Sequence, residues 1–331
     1  MSPPNILVIG CASADTIHLE NGLKNGLQTG SDKRTCHTLG GAGFYTALAA
    51  AHCGAAVTLY APKPKKLTGN LAIMANQFRW LGPEIDEGDM PRLEIIHHGD
   101  DRATLLAASW GAEGMLTTEH LDHMLGEATK LASSVKASQN FDLVHIAALS
   151  TVQRQLDFAI YISESLSQST PPLISAGTYA RAVKASRDQV FSLLKKCHFF
   201  FMNANEAKLL LADDCSLEAK LRPGQLCFVT DGANGATIYA ADEASAQIKK
   251  IAVAAQRVQN LGSANSSEPF DPTGAGDTFC GAVLADFLNH KSEKPFAEPI
   301  DRLTGAAQRG ATLASAVIGQ AGSDFYLNIR R

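Results

Sequence analysis

Asp271-Pro272-Thr273-Gly274-Ala275-Gly276-Asp277-Thr278-Phe279 is the stretch whose residue types and spacing suit chemistry. Small residues precede an acid, and an apolar helical pattern over 279–288 follows at once. A loop therefore becomes a helix here. Small residues let backbone N–H groups converge, and the first N–H groups of a helix lack internal partners and carry the positive end of the dipole. Such a terminus suits an anion, phosphate above all. Asp277 beside it would repel that anion. An enzyme passing a phosphoryl group to a hydroxyl needs both features: donors for the transferring charge and a base for the hydroxyl proton. Spacing alone equally permits a plain helix start in which Asp277 complements the dipole.

Elements must hold this segment in place. Short apolar runs at 6–9, 57–60, 143–146, 173–175, 199–202 and 226–230 read as strands buried on both faces. Helical patterns at 43–53, 155–167 and 187–196 lie between them. The alternation predicts an α/β chain, a mostly parallel sheet with helices on both faces, and ligands beyond the carboxyl ends of the strands. Two stretches break the pattern. Residues 15–39 are polar, with Gly22, Gly26 and Gly30 inside, and 92–118 contains two antiparallel-strand patterns at 93–97 and 103–109. Both are expected to pair into a small sheet outside the main one. No internal repeat divides residues 1–331, which read as one domain.

Composition narrows the class. The 331 residues carry a net charge of −4 and 45% hydrophobic content, which suits a globular protein and disfavours nucleic acid or an anionic membrane as partner. No run approaches the length of a membrane span. The N-terminal residues have no charged n-region, so a signal peptide is not expected. Seven scattered cysteines without CxxC spacing fit free thiols in a reducing cytoplasm. Neither GxxxxGK[ST] nor GxGxxG after the first strand occurs, which disfavours Walker and dinucleotide sites. His97 and His98 point to opposite faces of a strand, so they are not a metal pair. They are expected in the small sheet, exposed or over a substrate.

The segment Asp271 to Phe279 resembles the C-terminal signature of the ribokinase-like (PfkB) carbohydrate kinases. The resemblance implies a three-layer α/β/α fold with a β-sheet lid, formed by about 15–39 and 92–118. It implies ATP-dependent transfer of the γ-phosphate to a hydroxyl of a small sugar or sugar-like acceptor. Asp277 would be the base, and the backbone N–H groups of Gly274, Ala275, Gly276 and Asp277 the anion hole. Leu39-Gly40-Gly41-Ala42-Gly43-Phe44-Tyr45 is similar to the family's other signature, where Gly40 and Gly41 let backbone approach a polyol. Asp15 would take hydrogen bonds from sugar hydroxyls; read alone, it is a turn residue.

The same resemblance supplies a nucleotide end. Asn203-Ala204-Asn205-Glu206 is similar to an Asn-x-x-Glu motif that supports Mg²⁺, largely through water, although Glu206 also reads as a helix-start residue. Thr230, Gly232 and Gly235 would lie beside ATP, in a stretch that by itself is a turn around Asn234-Gly235. A small-residue helix at 310–317 would pack the adenine. Asp271 and the loop 319–322 resemble a site for a monovalent cation such as K⁺ only loosely.

The acceptor side departs from the family. Ribose kinases there carry Lys-Gly-Ala-Asn after the glycine pair, where this chain has Ala42-Gly43-Phe44-Tyr45. Tyr45 in place of the sugar-gripping Asn puts ribose in doubt. Residues 62–89 lack the usual Gly-x-Asp-x-x-Gly turn, and Gly177-Thr178 stands where many relatives have Asp-x-Asn. A nucleoside acceptor, its ring stacked on Tyr45 and Phe44, is the first alternative. A metabolite sensor without turnover is the second. An exposed lid edge would allow a homodimer.

Overall fold

The apolar runs become strands. The computed structural model describes residues 2–19, 34–97, 103–131, 140–166, 170–212, 216–242, 245, 247–256, 271–290, 300–318 and 322–328. The chain begins β1 (Asn5–Ile9), β2 (Ser13–Leu19), β3 (Arg34–Gly40), α1 (Ala42–His52), β4 (Ala56–Tyr60), β5 (Lys63–Pro64), α2 (Gly69–Ala75), β6 (Arg79–Leu81) and β7 (Glu84–Ile85). It continues through β8 (Arg92–His97), β9 (Ala103–Ser109), α3 (Thr118–Leu131), β10 (Leu143–Ile146), α4 (Val152–Glu164), β11 (Leu173–Gly177), α5 (Ala180–Ala185) and α6 (Arg187–Lys196). It closes with β12 (Phe199–Asn203), α7 (Ala204–Leu211), β13 (Leu226–Thr230), β14 (Ala236–Ala241), β15 (Ile248–Val253), α8 (Ala275–Asn289), α9 (Ile300–Val317) and α10 (Phe325–Asn328).

Nine strands form the main sheet in the order β15-β14-β13-β12-β11-β10-β1-β4-β6. From β6 to β13 every pairing is parallel, and β14 and β15 close the far edge antiparallel. Side chains alternate across a strand, so each strand feeds two cores. Ile6 and Val8 face α1, α8 and α9; Leu7 and Ile9 face the opposite layer, with Leu156 and Phe158 of α4 and Leu194 of α6. Both faces are covered, which is why the strands read as unbroken apolar runs. β1 is flanked by β4 and β10, so the chain reverses direction across the sheet there, a place where α/β folds open a ligand crevice.

The two irregular stretches do meet. A second sheet has the order β3-β2-β8-β9, with β2–β3 and β8–β9 antiparallel and β2–β8 parallel. Asp15 pairs with Thr38, and Leu19 with His97. Gly22, Gly26 and Gly30 lie outside the described residues. Helix α4 begins at Val152, ahead of its expected start, because Thr151 caps it by accepting from the Arg154 N–H at 3.4 Å. Helix α9 runs back to Ile300, well before the small-residue stretch at 310–317. Among the described residues no helix is long and apolar enough to cross a membrane. The six cysteines among them are free.

Candidate active site

Strand ends converge on one cavity of about 320 Å³. Cys11 follows β1, Ala147 follows β10, Thr178 follows β11, and Asn203 and Thr230 end β12 and β13. The second sheet covers this crevice with Ser13, Asp15, Leu93 and Leu105, and the start of α8 enters from the side with Gly274, Gly276 and Asp277.

Gly274 precedes α8 with φ 76°, a left-handed conformation that favours glycine. The Thr278 N–H closes the first turn onto the Gly274 carbonyl at 2.8 Å, and the Ala275 N–H donates to Pro272 O at 3.2 Å. Ala275 is therefore committed within the loop. Gly276 and Asp277 hold first-turn positions, whose N–H groups have no acceptor four residues back, and both line the cavity. Of the expected donors Ala275 is thus engaged, and Gly276 and Asp277 form the first-turn pair at the cavity. Asp277 is partly exposed, but to the cavity, and the surrounding protein pushes its carboxyl up to about 7.

At the lid end, Asp15 is 2% exposed and neither carboxylate oxygen has a hydrogen-bond partner among the described residues. Ser13 Oγ, Tyr45 Oη and Thr178 Oγ1 are buried and unpartnered too, and all four side chains line the cavity. Burial pushes the Asp15 carboxyl up to about 6, against Ser13 and the Leu93 backbone, which lie near enough to oppose the shift without closing a hydrogen bond. Gly40 makes room for this acid: a Cβ there would sit 2.1 Å from Asp15 Oδ2. Gly41 lines the cavity, and Gly40 acts behind it. Buried polar groups without partners are uncommon in native proteins, and several converging on one cavity mark a polar ligand's place.

Asn203 and Glu206 form a reciprocal cap on α7. Asn203 Oδ1 accepts from the Glu206 N–H at 2.9 Å, while Glu206 Oε2 accepts from the Asn203 N–H at 2.9 Å and Oε1 from Asn203 Nδ2 at 2.8 Å. Burial, and then the charge of Asp277, push the Glu206 carboxyl up to about 7, opposed by the Asn203 hydrogen bonds. Both residues line the cavity, so the helix-start reading and a site position hold together. Thr230 lines it as well; Gly232 and Gly235 do not. They shape the β13–β14 hairpin, and a Cβ at Gly235 would meet Val253 O of β15 at 2.1 Å. Gly310 in α9 packs against Phe279 and Val283 of α8.

Two expectations change, and Asp271 is held by protein contacts. Phe44 is fully buried at 5.8 Å from the rings of Phe78 and Trp80, away from the cavity, because adjacent helix positions point about 100° apart. It stacks no ligand. His97 is neither exposed nor over the cavity. It is 6% exposed, and its Nε2 lies 2.9 Å from Thr273 Oγ1 and 3.3 Å from Asp271 Oδ1. Asp271 spends both oxygens on protein: Oδ1 accepts from the Thr273 N–H at 3.0 Å, and Oδ2 from the Gly322 N–H at 2.8 Å. Burial acts to raise its carboxyl, but the hydrogen bonds from His97, Gly322 and Thr273 outweigh it and hold the group below its ordinary value. Residues 319–321 of the loop expected beside Asp271 lie outside the described residues. Among the described residues no cluster of three or more His, Cys, Asp or Glu could hold a metal ion.

The family model for "pfkB family carbohydrate kinase" matches residues 3–329. The chain belongs to the PfkB carbohydrate kinase family. Solved structures share its fold at low identity. Ribokinase from Giardia lamblia is 18% identical with a TM-score of 0.73, over 99% of this chain and 97% of that one. A nucleoside kinase from Methanocaldococcus jannaschii is 20% identical with a TM-score of 0.64, over 97% and 94%. Burkholderia thailandensis nucleoside kinase in complex with inosine is 16% identical with a TM-score of 0.66, over 97% and 93%. No curated protein sequence is significantly similar to the chain.

Two further parts of this PfkB-family cavity belong to no sequence motif. Trp110, after lid strand β9, and Tyr179, after β11, form an aromatic wall with ring centroids 6.3 Å apart. His145 and Cys280 line it too, with Cys280 Sγ 3.7 Å from His145 Nδ1 and Ser175 Oγ at 2.9 Å from the same nitrogen. Burial drives His145 down to about 3 and the Cys280 thiol well up, so this surface is uncharged near neutral pH.

Proposed function

We propose that this chain is an ATP-dependent kinase that moves the γ-phosphate to a hydroxyl of a small polyhydroxylated acceptor. One observation carries the reading: unpartnered Asp15 and three orphan hydroxyls share a single cavity with Asp277 and the first turn of α8. A carboxylate without partners accepts two hydroxyl donors well. In this reading Asp15, Ser13, Thr178 and Tyr45 hold the acceptor. Asp277 takes the proton from the attacking hydroxyl, the hydroxyl oxygen bonds to the γ-phosphorus, and the bond to the β-phosphate oxygen breaks to release ADP. The N–H groups of Gly276 and Asp277 hold the developing charge. A carboxyl near 7 is well matched to a base working near neutral pH.

Asn203, Glu206 and Thr230 would face the nucleotide phosphates. Bound Mg²⁺ would neutralise phosphate charge, and since Glu206 and Asn203 are bonded to each other, they would meet it only through its waters. Free thiols suit a reducing compartment such as the cytoplasm. A homodimer through an open edge of the lid, β3 or β9, is part of the reading, and a monomeric mass in solution would remove it.

The aromatic wall of Trp110 and Tyr179 favours a second reading within the same reaction, in which the acceptor is a nucleoside and a flat ring lies against that wall. ATP consumption against a panel of free sugars and nucleosides tests both. Turnover with some member is expected. Tight binding of one member with no turnover of any would overturn the kinase reading in favour of a metabolite sensor.

A further inference from the structure

We infer that His97 is a positioning residue: it latches the lid onto the loop that starts α8, so that the acceptor side and the phosphate side of the cavity order each other. The inference rests on the reading of Gly276 and Asp277 as the phosphate site. His97 ends lid strand β8 and pairs in register with Leu19 of β2, the strand that carries Asp15. One hydrogen-bonded sheet therefore holds both residues.

Across 176 residues of sequence, His97 Nε2 reaches Thr273 Oγ1 at 2.9 Å and Asp271 Oδ1 at 3.3 Å. The Asp271 carboxylate beside Nε2 favours the hydrogen on that nitrogen, and the Thr273 hydroxyl can take either role. His97 is 6% exposed and Asp271 fully buried, so water competes little at the histidine side of the contact. Asp271 relays the hold. Its Oδ1 also takes the Thr273 N–H, which fixes the turn one residue before Gly274, and its Oδ2 takes the Gly322 N–H. Gly322 sits against Thr38 of lid strand β3, where an added Cβ would overlap Thr38 Oγ1. The lid thus grips the loop from two strands, and His97 is its only side chain bonded there among the described residues.

If lid and loop order each other, a ligand that binds one must stabilise the other, and the effect is reciprocal. The probe is the Mg²⁺ complex of a non-hydrolysable ATP analogue, which engages the loop and needs no acceptor. Hydrogen–deuterium exchange is followed in peptides covering β8 and 271–278. In the wild type the analogue slows exchange in both, β8 by about five-fold or more, the lower end of ordinary coupling. In His97→Ala the loop peptide is still protected and β8 is not. His97→Gln keeps a side-chain N–H of similar reach and restores protection of β8. Protection of β8 in His97→Ala equal to wild type overturns the latch. So does failure of His97→Gln to restore it while that variant melts at the wild-type temperature. No protection of the loop peptide in the wild type overturns the phosphate site itself, a distinct result.

Discussion

The ring of Tyr45 lies against the α-carbon of Gly274: a Cβ built there would sit 2.5 Å from three ring atoms. Tyr45 belongs to α1 and Gly274 to the entry of α8, so the two glycine-rich segments of the sequence meet face to face. Gly274→Ala adds both a left-handed strain and a steric overlap. We expect it to lose about 1–3 kcal/mol of stability and most activity. Tyr45→Phe keeps the wedge, removes an unpartnered hydroxyl, and should melt at or slightly above the wild-type temperature. Urea melts of both variants check this, and a Gly274→Ala melt matching wild type would contradict it.

Asp277→Asn keeps shape and removes the base. The rate should fall about 10²–10⁴-fold while nucleotide affinity holds. Because the acid must be ionised to act, wild-type kcat/KM should climb as pH rises through about 7 and then level off. A pH profile flat between 6 and 8 would remove Asp277 from this role.

Three raised carboxyls also make stability depend on pH. Asp15 stands at about 6, and Glu206 and Asp277 at about 7, against ordinary values of 3.8 and 4.5. The folded chain therefore holds protons that the unfolded chain releases. Their contribution is complete below about pH 4 and is lost as pH rises through 6 to 7. His145 at about 3 and His198 at about 4 act oppositely below pH 6.5, where unfolding lets them charge. The clean readout is a difference. The melting temperature of Asp277→Asn minus wild type should increase from pH 5 to pH 8, by about 2–4 °C for each kcal/mol. A difference independent of pH would contradict the raised value.

Asp15→Ala should raise the acceptor KM about ten- to a hundred-fold, the scale of one or two hydrogen bonds to a charge, with the KM for ATP little changed. Trp110→Ala separates the acceptor classes. For a nucleoside its KM should rise about two- to ten-fold, and for a free sugar it should not move. Equal effects on both would take Trp110 out of recognition.

Asn203→Ala removes one arm of the α7 cap and should cost about 1 kcal/mol of stability. A place beside the nucleotide adds a second effect, a higher Mg²⁺ concentration for half-maximal rate. If only the melt shifts, Asn203 is a cap and nothing more.

The sheet was legible because its strands are buried on both faces, and runs such as Ile6–Ile9 have few other readings. The lid strands at 93–97 and 103–109 were legible too. Strands β6, β14 and β15 were not: β6 has only three residues, and β14 and β15 carry no unbroken buried run. Phe44 and Tyr45 look alike on paper, and only the helix's rotation sends one into the core and the other to the cavity. His97 escaped because its partner lies 176 residues away, a distance no local period encodes. Trp110 and Tyr179 escaped because aromatic residues after strands are ordinary, and only packing joined them.

Beneath the cavity, Phe201 of β12 stacks on Phe228 of β13 at 4.7 Å, and Phe279 of α8 meets both edge-on at 6.3 Å. Phe279 lies two residues past Asp277, Phe201 two before Asn203, and Phe228 two before Thr230. The spacing between the acid and the two strand tips is therefore gauged by two stacked benzene rings and the edge of a third. Dispersion and area, unlike ion pairs, are not screened by dissolved electrolyte. The alignment of these parts should be indifferent to ionic strength, even where the charges they carry are not.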